Sequence, residues 1–267
     1  MRFTSGVGEA GWRLYHCAAA VSTNDLAREL PAWCAVRADV QTGGRGRFGR
    51  VFVSDSGGLW ISAVLPAEGG PEKWAGFSLM VGVHLVMMLE ALQIPGTRLR
   101  WPNDLMSGQK KLGGLLIEQS ARDMLIVGFG LNVRNAPWDQ EPDLEPIATS
   151  LAMLANHIPS PDVLAVRILD ALADAHRAML AGGMESAIDA LNRRWIDPVA
   201  VDLLLSDGDH VLGRFMGLDQ RGNLRLSDEF NHSFIVEHQR IEKLVEISCA
   251  SLIHQNTINH KNPNGTQ

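Results

Sequence analysis

Apolar residues fall along the chain in short runs and in long periodic ones, and run length separates candidate strands from candidate helices. Ala35 to Gln41 and Leu59 to Leu65 carry the apolar content of two buried strands. Leu115 to Glu118 and Leu125 to Val133 repeat the pattern on either side of the polar Ser120-Ala121-Arg122-Asp123, which predicts a hairpin suited to the centre of a sheet. Between these pairs, Trp74 to Leu92 predicts a long buried helix. Its most apolar part ends at Leu89, is bounded by Lys73 and Glu90, and is broken by Ser78, Gly82 and His84. It therefore reads as too short and too polar for the roughly 20 apolar residues of a membrane span.

Helix ends are marked by capping chemistry. Ser22, Thr23 and Asp25 offer oxygens to unpaired first-turn N–H groups, so a short helix is expected from about Asn24 to Leu30. Ser160 before Pro161 opens the periodic segment Val163 to Leu180, and Gly182-Gly183 closes it. A further helix, from about Met184 to Trp195, would close the first domain, expected over 1–197. After Pro198 the texture changes to Val201 to Leu205, Val211 to Leu218, Leu224 to Leu226 and Phe234 to Val236. Turn residues Asp207-Gly208 and Arg221-Gly222-Asn223 lie between them, which predicts a small antiparallel barrel over 198–247. Ser248 to Gln267 is polar and Asn-rich and is expected to be a disordered tail.

Composition narrows the function classes. A chain of 267 residues, 46% hydrophobic, can bury a full core. Its formal charge of −6 argues against broad attraction to nucleic acid while leaving room for a local basic loop. Cys17, Cys34 and Cys249 are far apart and form no Cys-x-x-Cys pair, so neither a zinc site nor a disulfide framework is suggested. A reducing cytoplasm is the simplest setting. Met1 to Gly11 lacks the charged start and apolar core of a signal peptide, so export is not expected.

Three stretches carry candidate chemistry. Gln41-Thr42-Gly43-Gly44-Arg45-Gly46-Arg47-Phe48-Gly49-Arg50 interleaves glycines, which let a backbone approach a ligand closely, with permanently charged arginines. An anion, most plausibly phosphate, suits this loop; a solvated basic turn is the alternative. Gly44, Gly46 and Gly49 match the spacing of a dinucleotide fingerprint, but Val51-Phe52-Val53 and Leu59-Trp60-Ile61 read as strand where that motif needs a helix. No Walker-type P-loop occurs. The second stretch, Arg100-Trp101-Pro102-Asn103-Asp104 with Lys110-Lys111 just before Leu112 to Glu118, sets a lysine where it can meet a carboxylate or phosphate. It fits equally a turn with its lysines in solvent. The third, Val127-Gly128-Phe129-Gly130-Leu131-Asn132-Val133, is a strand whose glycines imply either close approach of a ligand or a strand-end turn.

Taken in order, Ser22-Thr23-Asn24, Gln41, Gly44 to Arg50, Trp101 to Asp104, Lys111 to Glu118 and Gly128 to Val133 resemble the biotin protein ligase family. The resemblance implies an α+β catalytic domain, a mixed sheet backed by helices, followed by an SH3-like barrel. It implies that ATP and biotin are joined as biotinyl-5'-AMP, with Mg²⁺, and that biotin passes to a lysine of a biotin carboxyl carrier protein. By similarity, Ser22, Thr23 and Asn24 help bind biotin, Gln41 reaches its ring system or the adjoining adenylate, and Arg45, Gly46 and Arg47 close over the intermediate. Lys111 binds the biotin carboxylate and α-phosphate, with Gly114 beside it, Asn103 and Asn132 lie near the adenylate, and Lys111 and Arg47 are the expected catalytic pair. Asp104 is the one candidate for a metal ligand.

The sequence departs from the family's pattern at Phe52 (tryptophan is common), Asp55 (proline), Arg100 (lysine) and Arg134 (asparagine). Adenylation stays compatible with these changes; loop closure and retention of the intermediate are the steps they touch. The residues before Ser22 are too few for a DNA-binding domain, so no specific DNA and no membrane partner are expected, and a homodimer is left open. A lipoate or octanoate ligase and a non-catalytic biotin-binding module are the alternatives.

Overall fold

The computed structural model describes residues 2–120, 123–194 and 199–247. Internal contacts divide the chain into two compact units, Met1–Ala187 and Ile188–Gln267. In the first unit, β1 (Arg2–Val7), β2 (Trp12–Ala20), β3 (Cys34–Gln41), β4 (Leu59–Pro66), β5 (Thr97–Arg100), β6 (Asp104–Ser107), β7 (Lys110–Ser120) and β8 (Met124–Leu131) form one sheet in the order β1-β2-β3-β4-β8-β7-β6-β5. β2 and β3 run parallel and the other neighbours antiparallel, so the sheet is mixed and the fold is α+β. β8 lies at the centre beside β4, with β7 paired to its other side, and residues 121 and 122 of the expected turn lie outside the described residues.

Among the described residues the α-helices are α1 (Thr23–Ala27), α2 (Phe77–Ala91), α3 (Leu151–Leu154), α4 (Pro161–Leu180) and α5 (Met184–Arg194). α1 packs across β3, β4 and β8. It stops earlier than capping chemistry predicted, because Glu29 N and Leu30 N bond back to Leu26 O and Ala27 O and tighten the last turn. α4 is capped as expected, with the Ser160 hydroxyl accepting from Val163 N at 3.3 Å. α2 corrects a sequence expectation. With its preceding turn, Glu72–Ala91 is long and apolar enough to cross a membrane by length and composition, yet 61% of that window is buried inside the fold. Packing against α4 and β5 accounts for its apolar character.

In the second unit, β9 (Val199–Leu205), β10 (His210–Leu218), β11 (Leu224–Ser227), β12 (Ser233–Val236) and β13 (Ile241–Ile247) form an antiparallel sheet in the order β12-β11-β10-β9-β13. The unit boundary falls inside α5, where the Asn192 side chain clasps the Leu218 backbone, donating to its carbonyl at 3.1 Å and accepting from its N–H at 2.8 Å. The expected disordered tail over 248–267, Cys249 and Trp195 lie outside the described residues.

Candidate active site

Glycines on the central strands cut a groove into the sheet. Gly128 and Gly130 are two apart on β8 and so share a face, and Gly114 on β7 lies opposite Gly130 in register. A Cβ at Gly130 would come within 2.6 Å of the Phe52 ring, and one at Gly114 within 3.4 Å of it. Phe52 therefore lies over both strands, with the Trp60 ring meeting it edge-on at 5.8 Å. A Cβ at Gly128 would stand 2.2 Å from Asn24 Oδ1, so the α1 side chain occupies the volume the glycine leaves free.

The cleft over this groove, about 470 Å³ including its open mouth, is lined by Ser22, Thr23, Asn24, Gln41, Arg45, Gly46, Phe52, Asn103, Lys111 and Gly114, with the apolar Leu115, Leu116 and Phe129. One part of it is a row of buried polar groups. Gln41 Oε1 accepts from Thr23 N at 2.7 Å and lies 3.0 Å from Thr23 Oγ1, which lies 2.7 Å from Ser62 Oγ; Ser62 Oγ lies 2.6 Å from Asn24 Oδ1. These oxygen–oxygen contacts share only the two hydroxyl protons of Thr23 and Ser62, so the row is one proton short of satisfying every contact. A ligand N–H donated to a remaining lone pair would add a proton to the row. Asn24 Nδ2 donates to Glu118 Oε2 at 2.7 Å, and Arg28 holds the other Glu118 oxygen at 2.6 Å. Gln41 Nε2 donates to Ser54 Oγ at 3.0 Å, fixing which end of its amide faces Thr23.

The glycine/arginine loop enters and leaves through paired backbone, with Phe52 N bonded to Gly44 O at 2.9 Å and Gly46 N to Arg50 O at 2.8 Å. Gly44 is required there, since a Cβ would meet Phe52 O and Ser54 Oγ at 2.4 Å. Only a short turn, Arg47–Gly49, follows, which agrees with the failure of the dinucleotide fingerprint. Arg45 reaches α1 and grips Asp25 with both guanidinium arms, one at 2.9 Å. That hydrogen bonding holds the Asp25 carboxyl below its ordinary range. Arg47 lies over the Phe48 ring at 4.9 Å and lines neither of the cavities described here.

Lys111 Nζ bonds Asp104 Oδ1 at 2.6 Å, and Arg100 bonds Asp104 Oδ2 at 2.6 Å. Asp104 is 19% exposed. Burial works to raise its pKa, but the charges and hydrogen bonds of Lys111 and Arg100 outweigh burial and hold it below the usual carboxylate range. Both oxygens of Asp104, the one candidate metal ligand, are engaged by cations, Lys111 on one and Arg100 on the other. Among the described residues no three His, Cys, Asp or Glu side chains converge on a metal position.

A second cavity, about 850 Å³, is lined by Val51, Phe52, Val53, Lys111, Asn132, Pro137, Glu141, Leu144 and Ala148. Phe52 and Lys111 line both this cavity and the first. Asn132 donates from Nδ2 to Thr149 O at 3.0 Å and accepts at Oδ1 from Asn135 Nδ2 at 3.0 Å. Asn103 faces the first cavity, its Nδ2 donating to Leu115 O at 2.8 Å. The structure thus gathers Ser22, Thr23, Asn24, Gln41, Arg45, Gly46, Asn103, Lys111 and Gly114 about one cleft and Asn132 with Lys111 about the next. Sequence reasoning did not single out Ser54, Ser62, Glu118 or Asn135 as site residues. A lone serine inside the apolar run Leu59 to Leu65 was the available signal, since a buried hydroxyl needs a partner.

The sequence model of the biotin/lipoate A/B protein ligase family matches residues 20–132. The chain is 30% identical over 231 residues to the biotin–acetyl-CoA-carboxylase ligase of Mycobacterium tuberculosis, covering 81% of this chain and 84% of the relative. It is 37% identical over 144 residues to the bifunctional ligase/repressor BirA of Bacillus subtilis, a match that spans 50% of this chain and only 44% of the relative. Its fold is similar to that of a biotin protein ligase from Aquifex aeolicus in complex with biotin and ATP, with a TM-score of 0.77 and 25% identity, covering 88% of this chain and 99% of that one.

Proposed function

The chain belongs to the biotin protein ligase family, and from that premise we propose that it activates biotin with ATP and transfers it to a lysine of a carboxylase carrier protein. The observation that carries this reading is a buried polar row beside a cleft and a lysine, Lys111, that lines both that cleft and a second cavity. Biotin's ring offers two N–H donors and a carbonyl to Thr23, Asn24 and Gln41. Its aliphatic chain suits Leu115, Leu116 and Phe129, and its carboxylate then falls toward Lys111. The second cavity suits the nucleotide.

In the first step a carboxylate oxygen attacks the α-phosphorus, the bond to the leaving pyrophosphate breaks, and biotinyl-5'-AMP forms. Two anions must approach, and the Lys111 ammonium offsets their repulsion as charge develops on phosphorus. Mg²⁺ would enter on the phosphates of ATP, as it commonly does. In the second step the acceptor ε-amine attacks the acyl carbon, AMP leaves, and the amine's proton is released.

Offering biotin, lipoate and octanoate separately tests the substrate. Lipoate and octanoate lack the ring donors, so binding either strands the polar row, a mismatch of on the order of 10⁴ in specificity. Pyrophosphate release is therefore expected with biotin and near background with the others; faster release with either of them would overturn this reading in favour of another acyl ligase.

Retention of the intermediate falls to the loop. Arg47 lies over Phe48 and off the cavities, so it contacts an adenylate only when the loop moves. Ordering the glycine-rich loop costs about 1 to 2 kcal/mol per residue, and an anion offsets that cost. A charge-assisted hydrogen bond lost in Arg47→Gly should speed escape of labelled biotinyl-AMP from a preformed complex about 10-fold or more. An unchanged release rate removes Arg47 from retention.

A further inference from the structure

We propose that Asp55 is a positioning residue for the second cavity, holding Asn132 in place through Asn135. Asp55 stands where the family resemblance leads one to expect proline, a residue with no acceptor in its side chain. Here its Oδ1 accepts from Asn135 Nδ2 at 3.1 Å. The same nitrogen donates its other proton to Asn132 Oδ1 at 3.0 Å, while Asn135 Oδ1 accepts from Val133 N at 3.0 Å. Both protons of the Asn135 amide are thereby used, one on each side of the link.

The link is buried at its centre, with Asn132 5% and Asn135 4% exposed. In such surroundings a satisfied amide has one orientation, and an amide with a stranded N–H turns or shifts. Asn132 Nδ2 is held by Thr149 O, so the Asp55 carboxylate secures the far end of a chain of bonds running to the Asn132 amide. Asp55 is itself anchored, its backbone carbonyl accepting from Trp60 Nε1 at 3.0 Å. It lies three residues beyond Phe52, which lines the second cavity together with Asn132. The carboxylate thus ties the segment leaving the glycine/arginine loop to the residues leaving β8. A departure from the family pattern becomes a connection between them.

This inference rests on the reading that the second cavity takes the nucleotide, and binding measurements separate the two. Labelled ATP and labelled biotin are dialysed separately, each in the absence of the other, against the full chain and against D55A, D55N, N135A and D55A/N135A. Loss of a charge-assisted bond predicts ATP affinity about 10-fold weaker in D55A, with biotin affinity within about twofold. D55N keeps an acceptor oxygen and should return to within about threefold of wild type for ATP. Because Asp55 acts through Asn135, the double variant should bind ATP no more than about twofold more weakly than N135A alone.

Wild-type ATP affinity in D55A, an equal loss of biotin affinity, or a double variant whose loss is the product of the single losses would each overturn the proposal. If wild type binds both ligands but releases no pyrophosphate, the ligase reading fails while these constants still decide the role of Asp55. A wild-type chain that binds no ATP at all sinks both.

Discussion

Replacing Lys111 with alanine is expected to lower biotin-dependent pyrophosphate release by about 100-fold or more while leaving the fold standing. The geometry separates the two effects. Removing one member of a buried ion pair is damaging when it strands the other, but Asp104 keeps Arg100 on its second oxygen at 2.6 Å. Lys111 is a third exposed, and its backbone stays held by Ile147 O and by Thr149 N. The ammonium has three donors and spends one on Asp104, so the others are free to meet a carboxylate and a phosphate. Lys111→Arg keeps the charge but changes reach and planarity, and its rate should fall between wild type and alanine. Pyrophosphate release measured beside thermal unfolding decides the matter. Near-wild-type release by folded Lys111→Ala would remove the residue from the mechanism.

Gly128→Ala should weaken biotin binding by about 100-fold or more, because the displaced Asn24 loses a charge-assisted bond as well as a neutral one. The added Cβ would stand 2.2 Å from Asn24 Oδ1, far inside contact distance, and on a central strand the backbone has little room to yield. Asn24 must swing away, and its bonds to Glu118 and Ser62 are lost together. ATP affinity, which on the proposed reading depends on the other cavity, should change much less. Isothermal titration with each ligand distinguishes the outcomes: equal losses for both ligands would point to general disruption of the sheet.

The pairing of β7 with β8 was legible because two apolar runs flank a polar turn, and the glycines of Gly128 to Gly130 were legible as gaps. What those gaps hold was not. Phe52 enters the groove only because Gly114 and Gly130 face each other in register, and register between strands is set by the whole sheet. The polar row joins residues 18, 38, 39 and 94 positions apart, separations that no local pattern encodes. Asp25 reads in the sequence as a first-turn helix acid, yet its carboxylate is the partner of Arg45, 20 residues on. β1, β2, β5 and β6 escaped notice for another reason. Their runs are short or partly exposed, and neighbouring strands supply the order that their own sequence does not.

Because Lys111 and Phe52 line both cavities, the proposed intermediate would be held at both of its ends. On the proposed function, biotin alone would occupy one chamber and AMP alone the other, and each could leave by breaking its own contacts. Biotinyl-AMP joins them by a covalent bond and becomes a bivalent ligand. When one half detaches, the other keeps it at high effective concentration beside its chamber, so rebinding outruns escape. Slow release then needs no exceptional grip on either half. Transfer to the acceptor lysine cuts the bond between the halves, and with it the avidity, so that AMP and the carrier-bound biotin depart at the faster rates of separate, single-site ligands.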